Sequence, residues 1–364
     1  MKQVRIGLVG AGVIGSTHSA VLRGIAEALA PAVELVAVAD PDPAASSQAV
    51  QIYGYRQQYA RAEELLAHAD INCVYICTPT SFHAEQVHAA AARGLHIFCE
   101  KPLAMSYAEG AAMVAAIDGA GRRAQIGLVL RFSAVFHVMR ALARDPRAGK
   151  PLAVVFRDDQ CFPIRGVHSS AWRADRALTA GGTLIEHGVH DLDIMTWFFG
   201  PISRLRAWER NFAAHPGIED YMAIEIEFAS GLRAQLMNLW HGMIQRSSNR
   251  RLEIFCENAF IASDADMCGE ITHQFGDGPE AVMRDQEVLE RFVAMNAGIP
   301  AGLTDYFGVP YLVEDLAFVM SLLEDRPVDP GIAVGLEAQR LAAAVYHAAR
   351  TGEEVDVSSF EPAP

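Results

Sequence analysis

The sequence predicts an α/β protein in two parts: a doubly wound parallel sheet, then an open and mostly antiparallel sheet with helices on one face. Three observations carry this. From residue 1 to about 128, short β-branched runs alternate with alanine-rich helical stretches, as βαβ units require. A glycine-rich turn follows the first of these runs directly. After about residue 130 the texture changes to longer alternating segments. In the stretch 221–228, Met222, Ile224, Ile226 and Phe228 share one face while Glu225 and Glu227 point the other way.

In the first part, strands are expected over 4–9, 33–39, 71–77, 96–99 and 124–129. Helices are expected over 14–29, 62–67, 84–93 and 107–119. Such an order implies parallel strands covered on both faces, joined by right-handed crossovers. A helix near 134–144 opens the second part, followed by strands over 152–160, 204–210, 221–228, 232–240, 251–256 and 270–275. Ser230-Gly231 has the spacing of a hairpin turn between two of them. Two helices close the chain, near 311–323 and 334–350. The domain division is 1–128 and 129–364, with the C-terminal helices as candidates to pack back on the first domain.

Composition narrows the function classes. The 364 residues suit about two domains, and 51% hydrophobic content supplies a large core. A formal net charge of -14 argues against a nucleic-acid or anionic-membrane partner. The six cysteines show no metal-type spacing and no disulfide framework. Cys73, Cys77 and Cys99 sit inside apolar strand-like runs. The chain enters a strand at Val4 with no apolar leader, no twin-arginine signal and no membrane-length apolar stretch, so a cytoplasmic setting is expected.

Gly10-Ala11-Gly12-Val13-Ile14-Gly15 follows the first strand and opens a helix. Gly10 permits the tight turn, Gly12 removes a side chain that would block a pyrophosphate, and Gly15 lets helix and strand approach. The helix N-terminus then favours an anion. Asp40 ends the second strand, where a carboxylate accepts from ribose hydroxyls and repels a 2′-phosphate. No arginine stands beside it, so the expected cofactor is NAD. Thr78 and Pro79 end the third strand and His83 opens the next helix, a place for further cofactor contacts or for an ordinary turn with Ser81 as N-cap.

Glu100-Lys101-Pro102 lies at the carboxyl end of the 96–99 strand, the edge at which open α/β sheets bind ligands. An ammonium there binds a substrate hydroxyl and lowers its pKa, while Glu100 borders the cofactor. Downstream, Gly181-Gly182 precedes Glu186 and His190, which fall on one face of a helix at four-residue spacing. A histidine beside a carboxylate moves protons at neutral pH. His187 and Asp191 form a second such pair, read as structural. These acids and histidines also offer metal-ligand chemistry, but no further ligand pattern joins them and no metal is expected.

Together, Gly10–Gly15, Ala39-Asp40-Pro41, Glu100-Lys101-Pro102 and Gly181-Gly182…His190-Asp191-Leu192-Asp193 resemble the glucose–fructose oxidoreductase/inositol dehydrogenase (Gfo/Idh/MocA) family over nearly the whole chain. The resemblance implies an N-terminal Rossmann domain, a C-terminal α/β domain with a large open sheet, and hydride transfer between a nicotinamide and a sugar, inositol or related polyol. The family's lysine is then Lys101 and its catalytic histidine His190. Its usual aspartate four residues earlier is replaced by Glu186, one methylene longer. Arg131, Trp172 and Arg173 are similar to family positions near cofactor or substrate. The alternatives are acid partners for the arginines and a core position for Trp172.

The expected reaction brings an amine and an imidazole from separate halves together beside a nicotinamide. A glycosidase that oxidises its sugar transiently, or a non-catalytic NAD-binding regulator, would share the motifs. The open sheet predicts pairing of subunits face to face, as homodimer or homotetramer.

Overall fold

The computed structural model describes residues 3–164, 170–296 and 310–363. The chain divides into two compact units, one of residues 1–129 and 299–336, the other of 130–298 and 337–364. The stretch 299–336 therefore groups with the N-terminal unit; the sequence places it in a second domain of 129–364 while naming the C-terminal helices as candidates to pack back on the first.

The first unit runs β1 (Val4–Val9), α1 (Val13–Ala28), β2 (Val33–Ala39), α2 (Pro43–Tyr53), β3 (Gln57–Tyr59), α3 (Ala62–His68), β4 (Cys73–Ile76), α4 (His83–Ala92), β5 (His96–Glu100), α5 (Tyr107–Gly119) and β6 (Ala124–Gly127). All neighbouring pairs are parallel, in the order β3-β2-β1-β4-β5-β6. Strand alternation splits the core between two faces. Ile6, Leu8, Cys73, Tyr75 and Phe98 pack on one side; Val9, Val74, Ile76, Ile97 and Cys99 pack on the other. Both faces are apolar, so the strands read as continuous hydrophobic runs.

Two elements here escaped the sequence reading. Asp-Pro-Asp-Pro looks like a turn, but it starts α2: the Asp42 carboxylate accepts from the Ala44 N–H at 2.9 Å, Pro43 occupies the first turn, and Gly54 closes the helix at φ +86°. The edge strand β3 is too short and polar to leave a periodic signal.

In the second unit, α6 (Ala134–Ala143) leads to β7 (Pro151–Cys161). A π-helical turn, Leu184–Gly188, runs into α7 (Val189–Phe199). There follow β8 (Ile202–Arg210), β9 (Tyr221–Phe228), β10 (Arg233–His241), β11 (Asn249–Cys256), β12 (Ala259–Ser263), β13 (Ile271–Phe275), β14 (Ala281–Met283) and α8 (Asp285–Met295). Strands β12 and β14 and helix α8 were not anticipated. Later come α9 (Pro310–Leu323), within the first unit, then α10 (Ile332–Thr351) and β15 (Val355–Asp356).

Among the described residues this sheet has nine strands, ordered β14-β13-β12-β11-β7-β10-β9-β8-β15. Only β7 and β10 pair in parallel. The alternation read in 221–228 holds: Met222, Ile224, Ile226 and Phe228 are buried. On the opposite face Val155, Trp208 and Phe255 are exposed.

Backbone closeness decides the glycine turn after β1. Gly10 has φ +90°, and a Cβ on Gly15 would lie 1.9 Å from the Gly10 carbonyl oxygen. At Gly12 an added Cβ meets nothing within 4 Å. Gly15→Ala is therefore expected to cost about 3 kcal/mol of unfolding free energy, and Gly12→Ala within about 1 kcal/mol. Urea denaturation of both variants checks the contrast; equal losses would refute it.

Candidate active site

In the first unit the strand order reverses between β1 and β4, which opens a crevice at their carboxyl ends. The loop after β1 is tied in place: the Gly10 N–H donates to Ala39 at 2.9 Å, and the Cys77 N–H to Val9 at 2.8 Å. Asp40 accepts from the Ala11 N–H at 2.7 Å and the Asp42 N–H at 2.8 Å, so this acid also shapes the glycine loop. No side chain caps the N-terminus of α1, and the space over Gly12 is open. Exposed N–H groups beside open space fit a dinucleotide pyrophosphate, with Val13 and Ile14 in the first turn. Thr78 and Pro79 are half-buried at the end of β4, where the Thr78 hydroxyl donates to Gln86 at 2.7 Å.

His83 and Glu100 differ from their expected cofactor contacts. His83 is 1% exposed. One ring nitrogen lies 2.9 Å from the Pro102 carbonyl and the other 2.9 Å from that of Thr78, so the ring braces the loop after β4 against the turn after Lys101. Burial holds its pKa below the usual range, against the opposing carbonyl contacts. Ser81 does not cap α4 either; it lies in a short 3-10 turn, Thr80–Phe82, and Phe82 takes the N-cap position.

Glu100 is buried, with one oxygen 3.0 Å from His18 Nε2 and the other accepting from the Lys101 N–H at 3.1 Å. The second nitrogen of His18 is 2.9 Å from both oxygens of Asp315 on α9. Burial alone would depress the ring, but the Asp315 charge and hydrogen bonds to Asp315 and Glu100 outweigh it and hold the pKa well above the usual range. The adjacent Glu314 is fully buried, and neither carboxyl oxygen has a hydrogen-bond partner. Burial, with Glu100 and Asp315 nearby, raises its pKa well above the ordinary value despite His18. Among the described residues, His18, Glu314 and Asp315 have metal-like spacing. Both ring nitrogens of His18 already lie on the carboxylates of Asp315 and Glu100, so neither is open to an ion. Lys101 leaves this assembly half-buried at the strand end.

In the second unit, a polar rung crosses the buried face of the sheet. Arg250 on β11 stands opposite Asp158 on β7, which stands opposite Asn238 on β10. Helix α7 docks on this rung through Asp191. Its carboxylate accepts from Arg250 Nε at 2.9 Å and from Asn238 Nδ2 at 2.6 Å. Arg250 also donates to Asp158 at 3.2 Å and to Asp266 at 2.8 Å. Burial raises the pKa values of Asp158 and Asp191, while Arg250 opposes the shift.

The other end of this helical segment is held by Glu219. Its carboxylate accepts from the Gly182 N–H at 2.8 Å, the Leu184 N–H at 2.9 Å and the Tyr346 hydroxyl at 2.9 Å. Burial pushes its pKa up to about 7 against these donors. A Cβ on Gly182 would lie 1.8 Å from the Glu219 carbonyl oxygen, which explains the glycine.

His190 sits between these anchors, in the first turn of α7, 6% exposed. Glu186 occupies the π turn. Its carboxylate accepts from the Thr179 hydroxyl at 2.7 Å and from Arg173 Nε at 3.1 Å, and the Arg173 guanidinium lies 4.5 Å from the Trp172 ring centre. The structure thus joins Glu186, Arg173 and Trp172, with His190 one turn along the same helical segment. Arg131 takes its acid-partner alternative, a two-point pair with Asp193 at 2.7 Å. The second pair read at four-residue spacing separates: His187 accepts from the Trp240 indole at 2.8 Å, while Asp191 belongs to the rung. At the end of β7, Asp159 pairs with Arg246 and Arg157.

Sequence reasoning missed His18, Asp315, Asn238, Arg250 and Glu219. Their partners lie tens to hundreds of residues away. The available signal was polar residues at inward-facing strand positions, as with Asn238 and Arg250 in otherwise apolar alternations.

Residues 4–128 match the family model described as "Oxidoreductase family, NAD-binding Rossmann fold", and 136–262 match the GFO/IDH/MocA C-terminal domain. The chain belongs to the Gfo/Idh/MocA family. It is an NAD-dependent oxidoreductase. It is 29% identical to inositol 2-dehydrogenase of Rhizobium meliloti over 76% of this chain and 80% of that enzyme. It is 31% identical to 1,5-anhydro-D-fructose reductase of Ensifer adhaerens over 50% and 54%. The structure of levoglucosan dehydrogenase with NADH and levoglucosan has the same fold, with a TM-score of 0.84 at 22% identity, covering 98% of this chain and 100% of that one.

The rung generates a pH test. A raised carboxyl pKa means that the folded state binds the proton more tightly, so stability falls as pH rises above the unfolded value of about 4. Asp158→Asn is expected to gain stability relative to the wild type as pH increases, and Arg250→Leu to lose about 3–5 kcal/mol through unpaired buried charge. Urea unfolding at several pH values measures both. A pH-independent difference for Asp158→Asn would contradict the first expectation.

Proposed function

We propose that this member of the family transfers a hydride between NAD and a secondary hydroxyl of a sugar, inositol or related polyol. The observation that carries the proposal is His190, buried on a helix pinned by Glu219 and by the Arg250 rung, one turn from the Glu186–Arg173–Trp172 assembly. Relatives named as inositol 2-dehydrogenase and 1,5-anhydro-D-fructose reductase support the substrate class.

In the oxidative direction His190 takes the hydroxyl proton. Lys101 holds the oxygen and stabilises its developing negative charge. Trp172 offers an apolar platform to the ring of the substrate. Glu186 acts through Arg173 and Thr179, holding this loop to the helix. The glycine loop at Gly12 and the Asp40 carboxylate would hold NAD, whose nicotinamide would supply the acceptor for the hydride of the carbinol carbon.

Incubation with NAD and a panel containing myo-inositol, levoglucosan and free sugars is expected to yield reduced cofactor in proportion to substrate consumed. Glycoside cleavage without it would indicate the hydrolase reading, and cofactor binding without turnover the regulator. Lys101→Met is expected to lower kcat by about 10²–10³-fold and His190→Asn by about 10²–10⁴-fold. Because both act on one hydroxyl, the double variant is expected to lose far less than the product of the two. Full multiplicativity would refute a shared site.

No helix among the described residues is long and apolar enough to cross a membrane. We place the enzyme in the cytoplasm as a homodimer or homotetramer, paired through the sheet face that exposes Val155, Trp208 and Phe255. Trp208→Glu is expected to lower the mass measured by light scattering at micromolar concentration. An unchanged mass would exclude this face.

A further inference from the structure

Three features of the first unit converge on one turn. Strand β5 ends at Glu100, whose Oε2 accepts from the very next amide, that of Lys101, at 3.1 Å. Its Oε1 is 3.0 Å from His18 Nε2, and the opposite nitrogen of that ring is clasped by both Asp315 oxygens at 2.9 Å. All three residues are 5% exposed or less, so the network is largely shielded from solvent. A carboxylate with such neighbours has one place to be.

The packing leaves little slack. A Cβ on Gly127 would lie 2.5 Å from Glu100 Oε1, so the β6 backbone closes on the carboxylate from the other side. The His18 ring itself is wedged between Phe98 and Tyr311, with ring centres 4.9 and 5.5 Å away. The chain of contacts therefore runs from α9 through α1 to the residue that leaves the strand end.

We propose that His18 is a positioning residue for Lys101: anchored by Asp315, its ring fixes the Glu100 carboxylate, which in turn fixes the backbone from which Lys101 projects. It touches neither substrate nor cofactor. This rests on the reading of Lys101 as the group that holds the reacting hydroxyl. If that reading holds, removing His18 lowers kcat, because a reacting group displaced by about 1 Å loses on the order of 10²-fold in rate. Binding of NAD to the Gly10–Gly15 loop is spared, since that loop is held by separate bonds to Ala39 and Asp40.

The sequence makes a direct readout possible. Its lysines are Lys2, Lys101 and Lys150 alone. Protein labelled with ¹⁵N-lysine therefore gives three backbone amide signals, and that of Lys101 reports the bond to Glu100. Lys101→Arg identifies it by its disappearance. In His18→Leu the Lys101 amide is expected to shift or broaden while the Lys150 amide stays in place. With the best substrate from the NAD panel, kcat falls about 10–100-fold and the KM for NAD changes less than about twofold. His18→Gln, which keeps a donor towards Glu100, is expected to recover most of kcat. Asp315→Asn, which keeps the side-chain volume, repeats the amide shift should the leucine variant not fold.

A folded His18→Leu or Asp315→Asn protein with the wild-type Lys101 amide signal would overturn the proposal, whatever its turnover. The two readings fail separately: full activity in Lys101→Met removes the role of the lysine, while the amide signal still judges its positioning.

Discussion

A guanidinium buried among carboxylates organises the second unit of this protein. Arg250 is 5% exposed and meets Asp158, Asp191 and Asp266. Each of these charges alone would be costly in the interior, and removing one partner leaves the others uncompensated. The arrangement is therefore directional. Asp191 has to lie over the rung formed by Arg250, Asp158 and Asn238, so α7 has to lie there too. His190 precedes Asp191 in sequence, and its position follows from that of its neighbour. Apolar packing would hold the helix on the sheet but would leave its rotation less specified.

The N-terminal half uses the same means in a different fold. The crevice proposed for NAD comes from topology: strand order reverses between β1 and β4, and the glycine loop lies at the reversal. The lysine edge comes from a buried ion pair. His18 between Asp315 and Glu100 links two helices to the last residue of β5. In both units a side chain proposed for the reaction sits one residue from a buried, charge-paired acid: Lys101 after Glu100, and His190 before Asp191. An acid that cannot move makes a precise support for its neighbour.

Much of this was legible in the sequence because it is local. The alternation of runs between 4 and 127, the glycine turn and Asp40 are contiguous signals with a short physical range. So is the inward face of β9. What escaped depends on distant partners. Pro43–Tyr53 looks like a turn until the Asp42 cap is seen. His83 looks like a crevice residue until the carbonyls of Thr78 and Pro102 occupy its ring. Arg131 leaves cofactor, substrate or an acid partner open in the sequence until Asp193 takes it at two points.

By itself the sequence determined the order of most elements, the glycine turn after β1, the acid at the end of β2, and the strand end carrying Lys101. These follow from propensity, spacing and chirality, which act over a few residues. Tertiary structure alone decided which charges are neutralised, and by whom. Burial makes an unpaired charge expensive, and the partner that relieves it is chosen by proximity in space. That is why Glu186 is found holding Thr179 and Arg173, and why Arg250, 59 residues after Asp191, holds the helix that carries His190.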